Sequence, residues 1–217
     1  MKPISTLPRD GRWFNYKFEN NSRQLPKPYI RTARGKWQAG GRPGIRFDDG
    51  SFYRQEDLSD RFQSWSPIEP GDIIYIKGDL TQATESLIVH GCNAQGVMGS
   101  GVAKAVRAKW PQAYQTYKAF CDVNVPKNLL GVIIPVPVSG RKVVINAITQ
   151  ENYGKTGEQF VDYEAVQSCM EAISRGYRGA VAMPKIGSGL GGGDWSKIEQ
   201  IIQNTLAQTN QVVVYEL

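Results

Sequence analysis

Two glycine-rich runs carry the strongest chemical signal in this sequence. The first is His90-Gly91-Cys92-Asn93-Ala94-Gln95-Gly96-Val97-Met98-Gly99-Ser100-Gly101, which opens directly into a helical pattern. Glycines let a backbone come close to a ligand, and a helix start presents free N–H groups to an anion. Gly96 and Gly101 have the glycine spacing of a P-loop, but Val102-Ala103 follow where that motif needs Lys and Ser/Thr. Nucleoside-triphosphate chemistry is therefore unsupported. The second run is Pro184-Lys185-Ile186-Gly187-Ser188-Gly189-Leu190-Gly191-Gly192-Gly193-Asp194-Trp195. Gly187, Gly189 and Gly192 satisfy G-x-G-x-x-G, yet the chain ends one strand later, before a dinucleotide-binding sheet could be completed. One such turn alone reads equally as a turn without a ligand. Two together suit a pyrophosphate.

His90, the only histidine in the chain, stands at the head of the first run. An imidazole there can move protons near neutral pH, although a lone histidine is also a common core residue. Asn93 could orient ligand hydroxyls or a water through its amide. Cys92 lacks the Cys-x5-Arg loop of a thiol phosphatase, which leaves a buried core cysteine as the simpler reading. Asp162 and Glu164 make a tempting carboxylate pair, but at a helix start they serve as dipole partners. Trp195 reads as a packing anchor.

These residues need a frame that brings strand tips together. From Gly71 onward, short β-branched runs alternate with amphipathic stretches. Strands are expected at 72–77, 86–90, 132–136, 143–148, 180–183 and 211–216. Helices are expected at 102–110, at 112–120 after Pro111, at 162–175 and at 195–207. This pattern predicts a layered α/β domain with a largely parallel sheet, whose ligands sit beyond the carboxyl ends of strands. Function is then to be sought in the loops after His90 and after Met183.

Residues 1–70 differ in composition. They hold 13 Lys/Arg against 8 Asp/Glu and 11 of the 22 aromatic residues, whereas residues 71–217 hold 13 against 12. The break falls in Ser66-Pro67-Ile68-Glu69-Pro70-Gly71, which divides the chain into a small β-rich unit (1–66), a linker (67–71) and the α/β domain (72–217). Strands are expected at 29–32, 44–47 and 51–54, the last two joined by Asp48-Asp49-Gly50, and a short helix at 55–65. Basic residues interleaved with aromatics suit nucleic-acid or protein-partner contact. They equally suit a small aromatic core with a solvated basic face. Cys92, Cys121 and Cys169 are too scattered for a disulfide framework or a zinc knuckle. The longest apolar run, 129–138, is too short to cross a bilayer, and no leader pattern opens the chain. A cytoplasmic protein needing no metal or other cofactor is expected.

The residues from 71 onward resemble the macrodomain family, in order and nearly end to end. Tyr75-Ile76-Lys77-Gly78-Asp79-Leu80 is similar to its first strand and adenine-binding acid. Val89-His90-Gly91-Cys92-Asn93 and Gly96 to Val102 resemble the next strand and the loop around the distal ribose. Met183 to Leu190 resembles the diphosphate-holding loop, and Val212-Val213-Val214-Tyr215 the last strand. The resemblance implies a three-layer α/β/α fold that binds ADP-ribose, with Asp79 and Leu80 at adenine. Gly99, Ser100, Gly101, Val102, Ile186, Gly187, Ser188, Gly189 and Leu190 would hold the rest of the ligand. Within the family, the run from His90 to Ala103, together with Lys109-Trp110-Pro111-Gln112-Ala113-Tyr114, is most similar to phosphatases acting on ADP-ribose 1″-phosphate. That implies catalytic roles for His90 and Asn93. A sister branch removes ADP-ribose from proteins or DNA with a lysine after Ile-Thr and an aspartate after Gly-x-Gly-Leu. Gln150 and Gly191 occupy those places here, and neither supplies an amine adduct or an acid.

Overall fold

The computed structural model describes residues 71–217 except 72, 140, 141 and 155–157. Before residue 71 it describes the backbone of six strands. The chain separates into two compact units, Met1–Glu69 and Pro70–Leu217.

The first unit is an antiparallel sheet of β1 (Lys2–Pro3), β2 (Trp13–Asn20), β3 (Tyr29–Gln38), β4 (Gly44–Phe47), β5 (Phe52–Arg54) and β6 (Ser64–Pro67). The strand order is β1-β6-β2-β3-β4-β5. β2, with its run of aromatics, was not expected from the sequence, and β3 continues six residues beyond the expected Thr32. The helix expected at 55–65 lies outside the described residues except at its end, where Ser64 and Trp65 belong to β6. The Asp48-Asp49-Gly50 turn also lies outside them.

The second unit is built from β7 (Ile73–Lys77), β8 (Leu87–Asn93), β9 (Ile133–Val138), β10 (Lys142–Gln150), β11 (Gly179–Pro184) and β12 (Asn210–Glu216). Its helices are α1 (Gly101–Lys109), α2 (Pro111–Asp122), α3 (Tyr163–Gly176) and α4 (Trp195–Asn204). The sheet order is β7-β12-β11-β8-β10-β9, parallel except for the β9–β10 pair. β9 can contain Pro135 and Pro137 because it is an edge strand, where a missing N–H interrupts no inner ladder.

Alternation along the inner strands sends residues into two cores. Leu87, Val89, Ile145 and Ala147 pack with Val166, Met170 and Ile173 of α3 and Ile198 and Ile202 of α4. Ile88, Cys92, Val144 and Ile148 pack on the other side with Val106 of α1 and Ala113 and Tyr117 of α2. The result is three layers, helix on sheet on helix, as expected. Asp162 caps α3 by accepting from the Ala165 N–H at 2.9 Å, the dipole-partner role read for it. The last helix stops at Asn204, short of the expected Ala207. Thr205 leaves helical geometry at φ −124°, ψ −88°, and a short 3-10 turn, Leu206–Gln208, follows.

Candidate functional site

The central strands β11, β8 and β10 end on the same edge of the sheet, and their following loops surround a cavity of about 410 Å³. Gly99 to Ala103 form one wall and Pro184 to Gly191 the opposite one, without Ser188. Thr149 and Gln150 at the end of β10, with Tyr153 and Gly154 just after it, contribute a third side. The sequence did not announce this third loop. Nothing in a linear reading places β10 next to β8.

Both glycine walls have a structural reason. At the first, Ser100 is the N-cap of α1 and its side chain makes no capping bond, so the helix's first amides have no side-chain acceptor there. Ser100, Gly101, Val102 and Ala103 all border the cavity, which places the positive end of the helix dipole on it. At the second, Gly187 has φ +74°, and a Cβ there would lie 2.7 Å from Val161 Cγ2. Only glycine lets that turn close on the loop after β10. The turn is tied by Gly193 N–H donating to Gly187 O at 2.9 Å and by Phe160 and Val161 N–H groups donating to Gly191 O.

Of the residues expected to bind ligand, Gly99, Ser100, Gly101, Val102, Ile186, Gly187, Gly189 and Leu190 line the cavity. Ser188 does not; its hydroxyl donates to Lys185 O at 2.8 Å and braces the turn. Asp79 and Leu80 also lie outside the lining. The Asp79 carboxylate accepts from Thr81 N–H at 2.8 Å and Thr81 Oγ1 at 2.9 Å, capping a 3-10 turn at Leu80–Gln82, and Leu80 is buried in the α1/α2-side core. Asp79 is exposed, with lone pairs beyond those two bonds.

The two residues expected to be catalytic, His90 and Asn93, both border the cavity, and both are also held by the fold. His90 borders the cavity, yet it is fully buried at 0% exposure. It is the register partner of Asn146 on β10, and its Nε2 lies 2.8 Å from Asn146 Oδ1. The Asn146 amide nitrogen donates to Ala113 O and Ile134 O, each at 3.3 Å. Carbonyls only accept, so the amide orientation is forced and His90 Nε2 must carry the proton. The Cys92 thiol lies beside the ring, 3.7 Å from Nδ1 and 3.8 Å from Nε2. Burial holds the imidazole pKa down at about 4. His90 is thus a neutral strut between sheet and α2. Asn93 is engaged as well. Its Oδ1 accepts from Gln95 N–H, Val97 N–H and Tyr117 OH, and its Nδ2 donates to Val97 O at 2.8 Å. It fixes the loop, and it also lines the cavity, with the second hydrogen of its amide uncommitted. The Cys92 thiol is pushed up by burial, as a core cysteine is.

Gln150 and Gly191 are immediate neighbours at the cavity. Gln150 Nε2 donates to Asn152 O at 2.7 Å. A Cβ at Gly191 would lie 2.6 Å from Gly187 O and 3.1 Å from Gln150 Oε1. Lys185 is held by Glu216 at 2.6 Å. The lining thus offers backbone amides, hydroxyls, the Asn93 and Gln150 carboxamides and Lys185, an arrangement suited to binding an elongated anion.

Three layers around a largely parallel sheet, with two backbone-lined turns at neighbouring strand tips, define an α/β class of anion-binding domain. The Macro domain family matches residues 89–202, and the chain belongs to it. An ADP-ribose 1″-phosphate phosphatase of Candida albicans is 30% identical over 151 residues, covering 60% of this chain and 92% of that protein. A DNA ADP-ribosyl glycohydrolase of Mycobacterium tuberculosis is 28% identical over 148 residues, covering 66% of this chain and 42% of that protein. Among solved structures, the macrodomain of Thermus aquaticus DarG superposes with a TM-score of 0.55 at 25% identity, covering 67% of this chain and 99% of that one.

Proposed function

We propose that this cavity binds ADP-ribose and that the protein hydrolyses ADP-ribose 1″-phosphate to ADP-ribose and inorganic phosphate. The observation that carries the reading is the pair of apposed backbone cradles, Gly99 to Ala103 and Pro184 to Gly191, on one cavity. A diphosphate fits the second, and the α1 N-terminus is suited to the distal phosphate. Water attacks phosphorus, the bond from phosphorus to the anomeric oxygen breaks, and that oxygen leaves as the hydroxyl of ADP-ribose. Phosphoryl transfer of this kind needs positioning and charge stabilisation more than a strong base. That agrees with a lining in which burial makes His90 a weak base.

Relatives with either reaction match almost equally well, so the choice between them rests on positions 150 and 191. A glutamine and a glycine there favour phosphate release. The steric closeness of Gly191 to Gly187 O leaves no room for a carboxylate unless the turn moves. The test is purified full-length protein with ADP-ribose 1″-phosphate, following inorganic phosphate, beside an ADP-ribosylated oligonucleotide. We expect phosphate release and an intact oligonucleotide. Cleavage of the oligonucleotide without phosphate release would reverse the assignment.

A second reading concerns residues 1–66, for which we propose nucleic-acid contact. Trp13 is the register partner of Lys36, Lys36 of Arg46, and Arg46 of Phe52, so these four form one row across β2, β3, β4 and β5. Alternation adds Lys17 and Arg34 to the same face, together with Glu19, the only acidic residue in those strands. Basic and aromatic residues combined on one sheet face match a phosphate backbone with unstacked bases.

A further inference from the structure

Thr149 stands out once the mechanism is assigned to backbone amides. It is fully buried, and its Oγ1 is the one buried side-chain polar atom among the described residues with no hydrogen-bond partner. A hydroxyl deprived of water and left unpaired is unfavourable, so such atoms in a native fold call for an explanation. It also borders the cavity.

The backbone shows why it is there. Parallel pairing of β10 with β8 runs in step to Ile148 opposite Cys92, then slips so that Gln150 pairs with Asn93. Thr149 is the extra residue at that irregularity, which is how strands re-aim a side chain beside a site. Its own carbonyl accepts from Asp162 N–H at 2.9 Å, tying it to the start of α3. The hydroxyl is closely flanked by the backbone of β8, and only a glycine at position 91 avoids pressing on it. A Cβ at Gly91 would come within 3.0 Å of Thr149 Oγ1 and 2.9 Å of Ile186 Cγ1. The hydroxyl therefore sits between β8 and Ile186 of the second glycine turn, at the edge of the cavity.

We propose that Thr149 is a ligand-recognition residue, its hydroxyl donating to an oxygen of the bound diphosphate–ribose. The proposal rests on the reading that this cavity takes ADP-ribose. Binding supplies the partner the fold withholds, so affinity and apo stability respond to the hydroxyl with opposite signs. Valine keeps the shape of threonine and removes the hydroxyl.

The test is calorimetric titration of full-length wild type, Thr149→Val and Thr149→Ser with ADP-ribose and with ADP, beside unliganded melting temperatures. We expect Thr149→Val to bind ADP-ribose about tenfold more weakly and to melt at or above the wild-type temperature. Thr149→Ser should stay near wild type in affinity. Equal loss with ADP assigns the partner oxygen to the diphosphate, and loss confined to ADP-ribose assigns it to the distal ribose. Unchanged affinity in Thr149→Val overturns the proposal while leaving ADP-ribose binding intact. A melting temperature lowered by several degrees also overturns it, because the hydroxyl would then serve the fold. Wild-type protein that fails to bind ADP-ribose removes the underlying reading, and this inference with it.

Discussion

His90 shows how one burial value changes a residue's role. An exposed imidazole at a strand tip is a proton carrier. The same imidazole at 0% exposure, donating to Asn146, is a structural link with a pKa near 4. The unfolded chain binds a proton at His90 below about pH 6.5, whereas the folded chain does so only near pH 4. The folded pKa is the lower one, so the stability this neutral histidine contributes is complete above pH 6.5 and is lost as the pH falls towards 4. The difference amounts to about 3 kcal/mol. Thermal melts of wild type and His90→Gln between pH 4 and 7.5 should show the acid-side decline flattened in the variant. Phosphate release by wild type should carry no ionisation near pH 6.5. A sharp loss of activity around that pH, abolished in His90→Gln without loss of fold, would restore a proton-transfer role.

The two glycine turns act as elements, because the position of each depends on a neighbouring segment. Gly187 combines a positive φ with a close approach to Val161, and neither tolerates a side chain. Gly187→Ala should push the second turn away from the loop after β10, costing about 1–3 kcal/mol. It should also weaken ADP-ribose binding at least tenfold, as measured by calorimetry and denaturant unfolding. Equal affinity in this variant would mean that the turn does not cradle the ligand. Asp79 illustrates the same dependence in reverse. Its carboxylate caps its own 3-10 turn and stands clear of the cavity lining. Capping chemistry and ligand chemistry use the same residue type, and sequence alone does not separate them.

At the scale of the whole molecule, charge divides unevenly between the two units, +5 over residues 1–70 against +1 over residues 71–217. If the row of Trp13, Lys36, Arg46 and Phe52 contacts phosphates and bases, binding of single-stranded oligonucleotide should weaken steeply with salt. A Lys36→Ala/Arg46→Ala double variant should lower the slope of log affinity against log salt by about 2. Fluorescence anisotropy across a salt series measures this, with ADP-ribose affinity expected to stay unchanged. Binding by the double variant that matches wild type at every salt concentration would refute the nucleic-acid reading. Among the described residues, no helix is long and apolar enough to cross a membrane.

Local pattern was enough for much of this protein. Alternating β-branched runs and amphipathic stretches located the strands and helices of residues 71–217 to within a few residues, and the glycine runs marked two walls of the cavity. Those features are legible because period, capping and backbone freedom are properties of neighbours in the chain. Strand order was not legible, and with it went the third side of the cavity: β10 joins β8 through pairings across more than fifty residues. The same long-range pairing buries His90 against Asn146 and leaves Thr149 at a slip in register, while packing of α2 on the sheet engages Asn93 with Tyr117. Whether a polar side chain acts on a ligand or holds the fold depends on its solvent exposure and its partners, and both are fixed only when distant strands meet.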